Sequence, residues 1–259
     1  MPLFLNLPVF SILAAALGLV LGSFYSVCVT RYLDGGSIVY PPSHCPLCNR
    51  RLRAWELLPV VSYLFLRGRC AGCGNRISVL YPLIELTSAA WAVLAAQATG
   101  PSLWFLAYLA LGGLFIVASA IDFKAYLLPD ILTYPAAVLG LAMGALRPDI
   151  GPLGAAIGAA CGFGLFWLLA TLYRLAKGVD GLGGGDVKLM LSIGGAVGWM
   201  GLPYAILIGS LAALLASPFY VLGKGRGRTM PIPFGPFLCC GALVQLLYGP
   251  FFLRLLASH

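Results

Sequence analysis

The sequence predicts an all-α integral membrane protein, with about eight transmembrane helices and one soluble loop domain after the first. Three observations predict it. Of 259 residues, 61% are hydrophobic and only 9% are charged, against about 25% charged in soluble domains, and the mean hydropathy is +0.96. Apolar stretches near the roughly 20 residues needed to cross a bilayer core recur along the chain. One polar stretch, residues 31–78, interrupts them and holds four of the eight cysteines.

The apolar stretches are Val9–Val29, Leu80–Ala98, Leu103–Ile121, Ile131–Leu146, Leu153–Leu172, Val187–Met200, Leu202–Leu222 and Phe234–Leu253. The fourth and sixth are short. The sixth contains "SIGGAVGW" and is expected to turn tightly near Gly201-Leu202-Pro203 before the seventh. Glycines let helices approach closely in lipid, so a short, packed helix fits there. The opening "MPLFLNLPVF" has no Lys or Arg, unlike the basic start of a cleaved signal peptide, so the first stretch reads as a retained span. The chain thus divides into a first helix at 1–30, the loop at 31–78 and a bundle at 79–259.

The formal charge of +8 is a statement about membrane orientation, since no basic surface interleaved with aromatics points to nucleic acid. Fourteen Lys and Arg fall in the first loop and alternate loops after it: Arg31, Arg50, Arg51, Arg53, Arg67, Arg69, Arg76, Lys124, Arg174, Lys177, Lys188, Lys224, Arg226 and Arg228. Only Arg147 and Arg254 fall on the other side. The positive-inside rule then makes the first loop cytoplasmic and sets both termini outside.

That loop contains "CPLC" and "RCAGCGNR", pairing Cys45 with Cys48 and Cys70 with Cys73 across 21 residues. Two such knuckles can surround one tetrahedral zinc ion with four thiolates, a closed and therefore structural site. Two disulfides are the rival reading, and a reducing cytosol argues against them. His44 reads as a surface turn residue. Cys28, Cys161, Cys239 and Cys240 lie in apolar stretches and read as small core residues.

Eight acidic residues remain to be weighed. Asp34 and Glu56 sit in the polar loop, Asp149 in an outer turn and Asp180 in a solvated turn, with no special role. Asp130 in "LLPD" reads as a helix cap. Glu85 lies within the second span, where a carboxylate is costly and has a partner or a function. Asp122 ends the third span in "SAIDFKAYLLPD", and Asp186 starts the sixth in "GLGGGDVKL". They fall at one membrane boundary, where two carboxylates sharing a site cannot both ionise easily. Such a pair can activate water and hydrogen-bond a peptide carbonyl, the chemistry of aspartic proteases. Gly183, Gly184 and Gly185 permit positive φ and close backbone approach. Helix capping is the alternative for Asp186. A phosphate cradle is the poorer reading, since "GGGDVKL" lacks the GK[ST] ending.

Taken in order, "GLVLGSF", "PPSHCPLC", "LPVVSYLFLRGRCAGCG", "YPLIEL", "IDFKAYLLPD", "GLGGGDVKL" and "PIPFGPFL" resemble the bacterial type IV prepilin peptidases. These are leader peptidase/N-methyltransferases of the GxGD aspartic protease class, and the resemblance spans nearly the whole chain. It implies that Asp122 and Asp186 are the catalytic pair and that Cys45, Cys48, Cys70 and Cys73 bind zinc in a cytoplasmic loop. It implies prepilin and pseudopilin substrates, cleaved after a glycine at the junction of a basic leader and a hydrophobic helix, at the inner membrane. It also implies N-methylation of the new terminus with S-adenosylmethionine. Ser26 and Lys124 depart from the family's common Asn and acidic residue. The alternatives are a peptidase without methyltransferase activity and an ion-coupled transporter, which would use the intramembrane carboxylates but leave the cysteine loop unexplained.

Overall fold

The computed structural model describes residues 7–179, 181–224 and 232–257. Asp180, Arg226 and Arg228 lie outside the described residues, as do both chain ends. The described residues form α1 (Leu7–Leu33), α2 (Val61–Phe65), α3 (Leu80–Thr99), α4 (Leu103–Ala125), α5 (Asp130–Leu146), α6 (Gly151–Lys177), α7 (Gly184–Lys224) and α8 (Gly235–Ala257), with a 3-10 turn at Ala54–Leu57. Among the described residues, four helices are long and apolar enough to cross a membrane: Pro8–Leu33, Leu103–Ala125, Gly151–Lys177 and Gly184–Pro218. Asp130–Leu146 and Gly235–Gly249 are shorter apolar helices. The helices make two compact units, Met1–Val117 and Ala118–His259, with the division inside α4.

In the first unit α1 packs on α3 through small residues. Side chains at Gly18 or Gly22 would strike the α3 backbone at Ser88 and Glu85. Glu85 is buried and accepts the Val60 amide at 2.7 Å and the Ser23 hydroxyl. The partner expected for this carboxylate is therefore structural. Val60 takes φ 59°, an uncommon conformation for a β-branched residue, and Glu85 holds its N–H there.

In the second unit the short arm of α7 is wedged between α5 and α6. Side chains at Gly140, Gly144, Gly158 or Gly162 would run into the α7 backbone at Ser192, Gly195, Gly194 and Met190. The buried Ser192 hydroxyl donates to the Ala136 carbonyl at 2.7 Å. Close backbone approach and an interhelical hydrogen bond are what hold helices together in lipid, where apolar burial supplies no drive.

Two expectations need correcting. The tight turn between the sixth and seventh stretches falls at Gly198 (φ 71°, ψ 172°), which joins two helical arms within α7, while Gly201-Leu202-Pro203 is helical. The break falls at Gly198 because that backbone conformation is essentially open to glycine alone. Cys161 and Cys240 are exposed, while Cys239 is buried and Cys28 is intermediate. In helices that are apolar all round, hydropathy does not say which face turns inward.

Gly158→Val tests this packing. A side chain there meets the α7 backbone, which cannot swing aside as a flexible side chain can. The variant should lose about 1–3 kcal/mol of stability, the usual cost of overpacking. Thermal unfolding of the purified protein in detergent reads the change.

Candidate active site and metal centre

Asp122 occupies the last turn of α4, which ends when Tyr126 turns to φ 55° and donates its N–H to the Asp122 carbonyl at 2.9 Å. The chain then runs through Leu127, Leu128 and Pro129 into α5. Asp186 stands in the first turn of α7. Its own N–H donates to the Gly183 carbonyl at 3.1 Å, and the Gly183 amide donates back to its carboxylate. That is the local geometry of a helix-start acid, so the capping role is real for one oxygen. The other, Oδ1, is buried without a hydrogen-bond partner among the described residues. Capping leaves it unexplained.

Asp122 is buried and its Oδ2 accepts the Gly235 amide at 3.2 Å. The two carboxylates lie within electrostatic reach of each other, and the buried thiol of Cys239 lies within reach of both. Leu128 joins the two sides. Its Cβ sits 2.6 Å from where a side chain on Gly185 would begin, and its methyl groups lie 3.0 and 3.3 Å from the same point on Gly235. Residues 64 positions apart in sequence are thus brought into one site by α4, α7 and α8.

Two of the glycines before Asp186, Gly181 and Gly185, act by their lack of volume, while Gly184 faces open space. None of Gly183, Gly184 and Gly185 has positive φ, contrary to the conformational half of the expectation. Gly185 instead admits Leu128, and Gly181 admits the Tyr173 ring. Asp130 also departs from its reading as a cap: Pro129 holds the cap position and Asp130 opens the first turn of α5. It accepts the Lys188 ammonium at 2.6 and 2.8 Å, and that ammonium also lies 5.3 Å from the centre of the Tyr134 ring. The pair is largely exposed, and such pairs contribute little to stability. It does tie the start of α5 to the start of α7.

In the loop the two cysteine knuckles are built alike. Asn49 and Gly74 donate to the Cys45 and Cys70 carbonyls, both at 2.9 Å, while Cys45 and Cys70 donate to Arg50 and Asn75 carbonyls at 3.0 and 2.8 Å. Asn49 and Gly74 have φ 54° and 71°, and an isolated antiparallel bridge closes each knuckle, His44 with Arg51 and Arg69 with Arg76. All four thiols are free of disulfides, and their sulfurs lie within 4.8 Å of one another. Cys45 Sγ and Cys73 Sγ are 3.8 Å apart. A tetrahedron with metal–sulfur bonds of about 2.3 Å has edges of about 3.8 Å, so this donor set could hold a metal ion. Backbone N–H groups of Cys73 and Gly72 hold the Cys70 thiol down to about 6, and the Asn75 amide lowers Cys73. Both effects favour the thiolates that a metal needs. His44 is turned to the Pro42 carbonyl at 3.0 Å and stands outside the cluster.

Glu56 is no ordinary loop acid. It is buried, accepts the Arg53 amide at 2.7 Å and takes the Arg50 guanidinium on both oxygens. Arg50 holds its carboxyl below the usual range. The guanidinium passes over Gly72, where a side chain would begin 2.7 Å from Nε, so this pair braces one knuckle against the other. No local sequence signal marks that role, because six residues in an irregular loop fix no common face.

Comparison with known proteins places the chain in a family. The bacterial peptidase A24 N-terminal domain matches residues 16–99, and the type IV leader peptidase family matches residues 109–217. The chain is 38% identical to a prepilin leader peptidase/N-methyltransferase of Burkholderia pseudomallei (strain K96243), over 93% of this chain and 87% of that one. Relatives of the same name from Aeromonas salmonicida (strain A449) and Pseudomonas putida are 38% and 34% identical, covering 82% and 93% of this chain and 73% and 91% of theirs. No solved structure matches. On these matches, which cover most of its length, the chain belongs to the type IV leader peptidase family.

Proposed function

We propose that this protein cleaves the basic leader from type IV prepilins and type II secretion pseudopilins with Asp122 and Asp186, and then N-methylates the new terminus. One observation carries the peptidase half: two carboxylates converge at the ends of apolar helices, and Asp186 keeps a buried oxygen with no hydrogen-bond partner among the described residues. A buried polar atom without a hydrogen bond is costly, and an incoming water or peptide would supply one. The pair shares a single proton. The ionised carboxylate takes a proton from water as the oxygen attacks the scissile carbonyl, and the protonated one hydrogen-bonds the carbonyl oxygen. Collapse of the tetrahedral species breaks the C–N bond, and the proton passes to the leaving amine.

The family relationship supports methyl transfer through the relatives' printed names, with S-adenosylmethionine as the donor that reaction implies. In this reading Cys45, Cys48, Cys70 and Cys73 hold structural zinc, and all eight expected spans cross the inner membrane. The Lys- and Arg-rich loops and the carboxylates lie on the cytoplasmic side and both termini outside. A prepilin's basic leader then stays inside while its hydrophobic helix enters the bilayer, which brings the scissile bond to the carboxylates' depth. Prepilins, pseudopilins and lipid are its partners, and no nucleic acid is.

Asp122→Asn and Asp186→Asn, assayed with a prepilin and labelled S-adenosylmethionine, test the pair. Each should abolish most cleavage, and the double variant should lose little more, because residues acting as a unit are non-additive. Asp130→Asn should retain substantial activity, since it removes only an exposed ion pair. Near-normal cleavage by either single variant would sink the assignment. A shortened but unlabelled pilin from the wild-type protein would leave a peptidase alone.

Metal analysis tests the loop. Freshly purified, reduced protein should carry about one zinc per chain, as a tetrathiolate site requires. Cys70→Ser should lose the metal and lower the loop's resistance to proteolysis, because metal binding contributes to folding. Metal-free wild-type protein with an intact loop would count against the site.

A further inference from the structure

We propose that Gly235 is a positioning residue for the carboxylate pair: its backbone N–H holds Asp122 in place, and the position admits no side chain. This rests on the reading of Asp122 and Asp186 as the reacting groups. Gly235 is the first residue of α8, so its amide has no partner within the helix and is free to donate. It donates to Asp122 Oδ2 at 3.2 Å, in a buried setting.

The contact leaves no room. A side chain at 235 would begin 2.9 Å from Asp122 Oδ2 and 3.0 Å from a Leu128 methyl. Asp122 is itself buried and short, so its carboxylate can yield only by leaving the amide. Leu128 is closed off on its far side by Gly185, one residue before Asp186. Aromatic contacts pin the chain on both sides of Gly235. Phe234 stacks on Phe166 at 6.4 Å, and Phe237 meets Phe123 edge-on at 6.3 Å. The donor is thus a backbone group on a fixed stretch, and glycine is the residue that lets Asp122 reach it.

Gly235→Ala, Leu128→Ala and the double variant decide between positioning and packing, in the full-length protein with a prepilin substrate. If Gly235 positions Asp122, Gly235→Ala lowers kcat on the order of 10²-fold, the scale of a misplacement near 1 Å, and leaves KM unchanged. Leu128→Ala alone costs less. It does not rescue Gly235→Ala, because the collision with the carboxylate remains. A wild-type kcat in Gly235→Ala overturns the proposal, and so does a double variant that returns to the Leu128→Ala level. If Gly235→Ala fails to fold, protein labelled with ¹⁵N-glycine provides the test. The Gly235 amide proton should move upfield in Asp122→Ala, and an unmoved resonance overturns the hydrogen bond. Asp122→Asn in the same series separates the two readings. Normal cleavage there ends the dyad assignment, whereas lost cleavage there beside a normal Gly235→Ala ends this inference alone.

Discussion

The candidate site depends on Leu128 filling the space that Gly185 and Gly235 leave open. One side chain from the turn after α4 touches the residue before one carboxylate and the residue whose amide holds the other. Three helix ends meet around it. Each carboxylate belongs to a different helix, so their relative placement is a property of that junction. Close packing transmits a displacement of one member to the others. This is why glycine occurs on both sides of Leu128 without adopting a conformation that only glycine can reach.

The lipid environment sets a second constraint. Inside a bilayer, apolar side chains gain nothing by turning inward, so α5, α6 and α7 associate through backbone contact and a few hydrogen bonds. The glycine contacts along α7 place its first arm, and that arm carries Asp186 at its start. Lys188 adds a polar tie to Asp130 just beyond the same end. The arm finishes at Gly198, where the helix axis breaks. Site and bundle are therefore one packing problem.

The cysteine loop solves a different problem. A short irregular segment cannot bury enough apolar surface to hold itself together, and four thiolates around one ion would replace the missing core. The likeness of the two knuckles, down to a positive φ at Asn49 and Gly74, follows from the repeated need to aim two sulfurs at one point. Arg50 and Glu56 supply the remaining brace. Glu85 then ties this loop to the helices through the Val60 amide.

Residue type and spacing alone determined the membrane class, the paired thiols and the two candidate carboxylates. Each is a matter of composition or short-range spacing: long apolar runs, cysteines two apart, and an acid where an apolar run ends. The helix break escaped, appearing at Gly198 instead of Gly201, because several glycines there could each permit it and packing selects one. The facing of Cys161 and Cys240 escaped because an all-apolar helix has no inward stripe. The partners of Asp130 and Glu56 escaped because ion pairs in loops and at helix ends join residues that share no local period. Tertiary structure alone decided that Asp122 meets the amide of Gly235 across 113 residues. That contact exists only once three helix ends have packed around Leu128, and no stretch of the chain encodes it by itself.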